Sequence, residues 1–350
     1  MSRRALTLLV AGFLTLAFAV IGAMVPVPYV VLSPGPTENT IGDVKGKPVI
    51  SISGHETYPT QGKLSMVTVA YQGGPGNRLD LVTALRGWLD PTVAVVPEET
   101  LFPKTSTPKE VEEQNTQEMT TSQELATAAA LNVLKIPFGR TVKVVSTNKG
   151  APADGKLKPG DEITAVDGTP ATALDSVAGA VRKHRPGEQV TFTVKRGGTE
   201  TRIPVSTIAG KDGATIVGVT MQPSSGYRFP FKVDISVGDI GGPSAGLMFS
   251  LGIYDKLTPG ALTGGMSIAG TGTIGPDGKV GPIGGIEQKM TGARRAGATV
   301  FLTPADNCAD AVKAVPEGLR LVRADTLESA VKAIDALRDH SGEVPACPAG

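Results

Sequence analysis

The sequence predicts a multidomain α+β protein. It comprises an N-terminal transmembrane helix (1–26), a mixed α/β region (27–138), a small β-rich domain (139–208) and an α/β layer (209–340) with a short tail (341–350). Three observations predict this. Ala5 to Val25 carries no charge. Val- and Ile-rich segments of strand length recur between Gly and Pro punctuation, as half-buried strands require. Between them lie stretches with apolar residues at helical spacing, opened by capping signals.

Composition narrows the function. The 350 residues include 34 basic and 33 acidic side chains, a net charge of +1. That balance gives no electrostatic footprint for nucleic acid. Three histidines (His55, His184, His340) and two cysteines (Cys308, Cys347) leave little for zinc or other metal chemistry. No cofactor is expected, and any catalysis has to work without a histidine base.

The uncharged run spans the roughly 30 Å hydrocarbon layer at 1.5 Å per residue. Arg3 and Arg4 precede it and no Lys or Arg follows until Lys45. The positive-inside bias puts the N-terminus in the cytoplasm and the body outside the cell membrane, as a single-pass signal anchor. A cleaved signal peptide is the competing reading, with Ala17-Phe18-Ala19 as its small-residue site. In either case an oxidising compartment points to a disulfide between Cys308 and Cys347, the alternative being two free thiols.

In 27–138, VPYVVLSPG, VISISG and KLSMVTVAY read as strands and Leu79–Leu89 as a short helix. Thr107, Pro108 and Glu110 form a capping box with Pro at the first helical position. The helix then runs toward Pro137, which stops it. Glu110, Glu112 and Glu113 read as a solvated helix face, and no catalytic constellation is evident in this region.

In 139–208, strands are expected at Val142–Val145 and Ile163–Val166, a helix at Thr172–Lys183, and a hairpin of Val190–Lys195 and Thr201–Val205 across Gly197-Gly198. Two motif-like strings are decoys. Gly150 to Lys156 has phosphate-loop spacing, but Leu157 stands where Ser or Thr should hold magnesium. Ser146-Thr147-Asn148-Lys149 matches S-x-x-K without its companion motifs. Ala151-Pro152-Ala153, Leu157 to Ile163 and Val166-Asp167-Gly168 closely resemble the PDZ family across essentially the whole segment. The resemblance implies docking of an extended peptide beside an exposed strand. The usual carboxylate-binding loop is not plain near Phe138-Gly139-Arg140.

The chemistry lies in 209–340. A strand at Phe231–Val237 leads through Gly241-Gly242-Pro243-Ser244-Ala245-Gly246 into the apolar helix LMFSLGIYDKL. Ser244 at that helix start is a candidate nucleophile. Gly242, Ala245 and Gly246 offer close backbone approach and unpaired N–H groups for an oxyanion. The base is the open question. His340 would serve an esterase-type triad but lies close to the end of the sequence. Lys289 stands in the first turn of IEQKMTGARRA, beside its buried face of Ile286, Met290 and Ala293. Burial and the positive helix end both disfavour an ammonium there, leaving an amine able to take a proton. Arg294 and Arg295 read as solvent-facing.

GGPSAG, TGTIGPDGKVGPIGGIEQK and VFLTPADN resemble the proteolytic domain of the Lon family, over roughly Asp234 to Leu337. The resemblance implies Ser244 as nucleophile, Lys289 as general base and Thr271 as the hydroxyl that orients the lysine. Many Lon domains carry an acidic residue three positions before the serine. Here that position is Gly241, with Asp239 nearby. Strands at Val300–Thr303 and Leu319–Val322 and helices at Asp306–Val315 and Leu327–Arg338 complete the layer. Asp325 and Glu328 are read as capping the last helix. The order of parts resembles bacterial membrane-anchored PDZ-containing Lon-like proteases, most of all their actinobacterial members. It implies ATP-independent cleavage of flexible or unfolded protein or peptide substrates, and a homo-oligomer. A non-catalytic PDZ scaffold is the reading from another class.

Overall fold

The computed structural model describes residues 3–210 and 213–348. Met1 and Ser2 of the expected anchor, Lys211 and Asp212, and Ala349 and Gly350 of the tail lie outside them. The chain forms two compact units. One is discontinuous, built from the chain up to Leu134 and again from Val233; the other runs from Lys135 to Lys232. The boundaries read from sequence separate 27–138 from 209–340, whereas the two segments supply strands to one sheet.

The first half opens with α1 (Arg3–Met24), long and apolar enough to cross a membrane. Strands β1 (Tyr29–Asn39), β2 (Ile50–Ser53) and β3 (Lys63–Gln72) follow. Helix α2 (Leu81–Leu89) is capped by Asp80, whose carboxylate accepts from Thr83 N. After β4 (Ala94–Pro97) comes α3 (Pro108–Val133). The expected capping box is formed: Thr107 N donates to Glu110 Oε2 (2.8 Å) and Glu110 N donates to Thr107 Oγ1 (3.3 Å).

The continuous unit is an antiparallel sheet with one principal helix. Its strands are β5 (Gly139–Thr147), β6 (Glu162–Val166), β7 (Gln189–Arg196), β8 (Thr199–Ser206) and β9 (Val219–Arg228), with α4 (Leu174–Arg182) between β6 and β7. The order is β8-β7-β6-β5-β9. Strand β9 falls in the stretch assigned from sequence to the last region, yet it pairs with β5 from Val219↔Thr147 to Arg228↔Gly139. Val142, Ile163, Val177, Phe192 and Val205 are fully buried between sheet and helix.

The chain then returns through β10 (Lys232–Ile235), α5 (Gly246–Leu257), β11 (Ser267–Gly270), α6 (Ile286–Arg295), β12 (Val300–Pro304), β13 (Arg320–Ala324) and α7 (Leu327–Arg338). The main sheet of the discontinuous unit has the order β13-β12-β11-β3-β1-β4. Its β13, β12, β11 and β3 run parallel, while β1 and β4 pair antiparallel. Helix α5 is buried continuously from Gly246 to Ile253, largely with apolar side chains, and packs against α3 and the sheet. Helix α6 packs on β1 and β3 through Ile286, Met290 and Ala293.

Strand β10 falls within the strand expected at Phe231–Val237 and pairs with β2 outside the main sheet. Two local readings change. The helix expected over Asp306–Val315 is a turn at Ala305–Asn307 and a short helix at Cys308–Ala311. The cap of α7 is one residue later than expected: Thr326 Oγ1 accepts from Ser329 N and Ser329 Oγ accepts from Thr326 N. Asp325 instead binds Arg323, and Glu328 binds Lys332.

Cys308 and Cys347 form a disulfide, and Pro345 O accepts from Arg323 N on β13. The bond closes a loop of 39 residues' separation. Denatured, unreduced protein should therefore show no titratable thiol, and two after reduction. Reduction should lower stability by about 2–4 kcal/mol in a denaturant titration.

Candidate active site

The Ser244 loop is held from both sides. Beyond β10 it crosses α3, where Gly242 N donates to Asn115 O (3.0 Å) and Ser122 Oγ donates to Pro243 O (3.1 Å). Gly242 has φ +88°, a conformation that glycine adopts without strain. On the other side Ser244 O accepts from Gly272 N (2.9 Å) and Thr271 Oγ1 (3.0 Å), and Leu247 N donates to Gly272 O (3.1 Å). Ser244 is thus fixed, half-buried, at the entrance to α5, whose N-cap is Ala245 and first residue Gly246. The first N–H groups of a helix lack intrahelical acceptors, so this end of α5 can receive a negative oxygen.

Lys289 is the fourth residue of α6, a helix entered through Gly285 in the left-handed conformation (φ +67°). The residue is only 4% exposed. Nζ donates to the Oγ1 of fully buried Thr271 at 3.2 Å. A continuous path therefore runs from Lys289 Nζ through Thr271 Oγ1 to the backbone oxygen of Ser244. Removal from water disfavours the ammonium and pulls the Lys289 pKa down to about 8. At neutral pH a usable fraction of the amine is uncharged.

Ser244 and Lys289 line one cavity of about 670 Å³, together with Gly242, Ala245 and the Pro282–Gly285 turn. Among the described residues, none of those lining it is a histidine. His340 is exposed beyond the end of α7 and does not line the cavity. A second cavity of about 1000 Å³ shares Thr68, Val69, Asn115, Met119, Ile240 and Gly241 with the first.

Asp239 lines this second cavity and not the one holding Lys289. At Gly241 a Cβ would sit 2.7 Å from Asn115 Cβ and 3.3 Å from its backbone. An acidic side chain there would push the loop off α3, which accounts for glycine at this position.

Helix α3 is the contributor that the sequence reading does not anticipate. Glu110, Glu112 and Glu113 are exposed as expected. Asn115 and Met119, one turn apart, nevertheless line both cavities, and Ser122 holds the loop. Their helical spacing is the one signal that could have marked this face. Strand β3 is the other addition. It pairs with β11 only over Lys63–Met66, whereas its pairing with β1 continues to Gln72. Past Met66 its second edge lies open beside the cavities, at Thr68 and Val69. In the continuous unit, β9 is likewise an edge strand and α4 packs beside it.

Two family models match the chain. A PDZ domain model covers residues 112–207, and the model of the Lon protease (S16) C-terminal proteolytic domain covers residues 233–338. Among curated relatives, Lon protease 1 of Bacillus subtilis is 31% identical over 117 residues, covering 32% of this chain and 15% of that protein. Lon protease 1 of Sorangium cellulosum is 37% identical over 107 residues, covering 30% and 13%. The chain thus spans less than a fifth of the length of these relatives. A solved PDZ domain of an SdrC-like protein from Listeria innocua is 25% identical with a TM-score of 0.23, covering 24% of this chain and 96% of that one. By these matches the chain joins a PDZ domain to a Lon protease (S16) C-terminal proteolytic domain.

Proposed function

We propose that the chain is a membrane-anchored serine endopeptidase that cleaves flexible or unfolded protein segments outside the cytoplasm without ATP. Its PDZ domain docks the substrate. The observation that carries this reading is the buried Lys289 amine, bonded to Thr271 in the cavity that Ser244 lines and that contains no histidine. Anchoring rests on α1 and the arginines before it. The one phosphate-loop spacing in the sequence, Gly150–Lys156, lies in a turn of the PDZ unit, which agrees with cleavage that needs no nucleotide.

In this mechanism Ser244 Oγ attacks the scissile carbonyl carbon and gives its proton to neutral Lys289 Nζ. The N–H groups at the start of α5, from Ala245 and Gly246, stabilise the resulting oxyanion; Gly242, expected beside them, gives its N–H to Asn115 O and serves the loop instead. The C–N bond breaks as the Lys289 ammonium returns the proton to the leaving amine. Water then repeats the cycle on the acyl-enzyme. Thr271 positions the amine. The substrate lies extended along the open edge of β3, and the PDZ domain offers a second edge at β9 beside α4.

Ser244→Ala and Lys289→Ala should each abolish cleavage of casein without nucleotide, and the double variant should be no worse than either alone. Thr271→Ala should lower kcat, and Thr271→Ser should restore most of it. Retained casein cleavage in Ser244→Ala would end the proposal.

The pH dependence follows from the position of the lysine. With a pKa of about 8, roughly a tenth of Lys289 is neutral at pH 7. The kcat/KM should rise about tenfold per pH unit below 8 and level off above it. Stability changes in the same direction, in a higher pH window. The folded pKa lies below the unfolded value, so the unfolded chain binds the proton more readily between about 8 and 10.4. Stability is therefore lost as pH falls through that window and stays reduced below it. Lys289→Met, inactive, should be more stable than the parent at pH 7 by up to about 3 kcal/mol in urea titrations.

A further inference from the structure

Helix α2 is amphipathic in the opposite sense to a helix that covers a soluble core. Its inward face is made of small residues. Ala84 and Gly87 are buried, and a Cβ on Gly87 would stand 2.7 Å from Val95 Cγ2. Its large apolar residues, Leu81, Val82, Leu85, Trp88 and Leu89, fall at i, i+1, i+4, i+7 and i+8, one continuous stripe. Leu85, Trp88 and Leu89 are 47%, 53% and 86% exposed. Trp88, the only tryptophan in the sequence, stands edge-on to Tyr29 at 5.5 Å, which places it at the rim of the body. Exposed Arg86 flanks the stripe.

The place of α2 in the fold says what covers this stripe. The helix is fastened to the end of α1. Leu81 N donates to Val25 O (3.3 Å), and Pro26–Val27 pairs antiparallel with Leu79–Asp80. Gly22 is the last residue of the apolar span, and a Cβ there would lie 3.6 Å from Val82 and 4.0 Å from Leu81. The start of α2 is therefore level with the point where α1 would leave the hydrocarbon layer. Tryptophan is enriched at that level, because its ring is apolar and its N–H is polar. Arginine there meets lipid phosphate. A second copy of the chain is a poorer occupant. A nine-residue helix exposing three large side chains falls well short of the roughly 1,000 Å² that a stable protein interface buries.

We infer that α2 lies in the membrane interface, with Leu85, Trp88 and Leu89 inserted at the headgroup–acyl boundary of the bilayer that α1 spans. This inference rests on the anchor reading proposed above. Two attachments, one spanning and one lying flat, fix the orientation of the proteolytic unit on the membrane, which a single span would leave free to swivel.

The test uses Trp88 as its own probe in the full chain, reconstituted into phosphatidylcholine–phosphatidylglycerol vesicles. Lipids brominated near the headgroup end of the acyl chain should remove most of its fluorescence, and acrylamide should remove little. Leu85→Ser/Leu89→Ser should reverse that pattern without changing retention of the chain after alkaline carbonate. A carbonate-resistant chain whose Trp88 is open to acrylamide and untouched by bromolipid overturns the inference and leaves the anchor standing. Trp88 shielded from both quenchers means a protein partner covers it, and also overturns the inference. Release of the chain by carbonate overturns the anchor and the inference together.

Discussion

Withdrawal of one ammonium group from water governs the arrangement of the proteolytic unit. Lys289 is carried inward on the apolar face of α6, beside Ile286, Met290 and Ala293, and its amine donates to the hydroxyl of Thr271. A buried cation without a carboxylate partner is expensive, and the protein lowers that cost by letting the proton leave. The neutral amine is what makes the proposed chemistry available. In the proposed mechanism the same burial lets a lysine stand where a histidine base otherwise would.

The surrounding backbone serves this geometry. Thr271 binds both the lysine amine and the Ser244 carbonyl, so the two candidate residues share one positioning group although they sit on different helices. The Gly242–Pro243 segment is held to α3 and the Ser244 carbonyl to the 271–272 turn, leaving the serine little freedom. Glycine is needed where these loops press on neighbours, as at Gly241 against Asn115. The PDZ unit is inserted between α3 and β10, and both of its connections therefore lead to elements that shape the cavity: α3 directly, and β10 through the loop that ends at Ser244.

Much of this is legible in the sequence because it is local. The strand–glycine–serine–helix run, the capping box at Thr107 and the lysine beside an apolar face are each written within a few residues. The resemblance to Lon proteolytic domains adds Thr271, which no local pattern marks. What escapes is non-local. Strand β9 reads as part of the last region because its pairing with β5 is antiparallel across an intervening sheet. The other face of the polar run of α3 escapes notice because what covers it, through Asn115 and Ser122, is a loop more than a hundred residues away. The shift of the α7 cap from Asp325 to Thr326 reflects near-equivalent capping residues side by side, where an ion pair with Arg323 decides the choice.

The central claim is that burial depresses the Lys289 pKa until a usable fraction of the amine is neutral near pH 7, and it can be measured without reference to turnover. Lysine Cε-labelled full chain in a Ser244→Ala background, titrated by NMR with Lys289→Met for assignment, should show one lysine with an apparent pKa of about 8. A Lys289 resonance that titrates with the ordinary lysines, near about 10.4, would contradict the account.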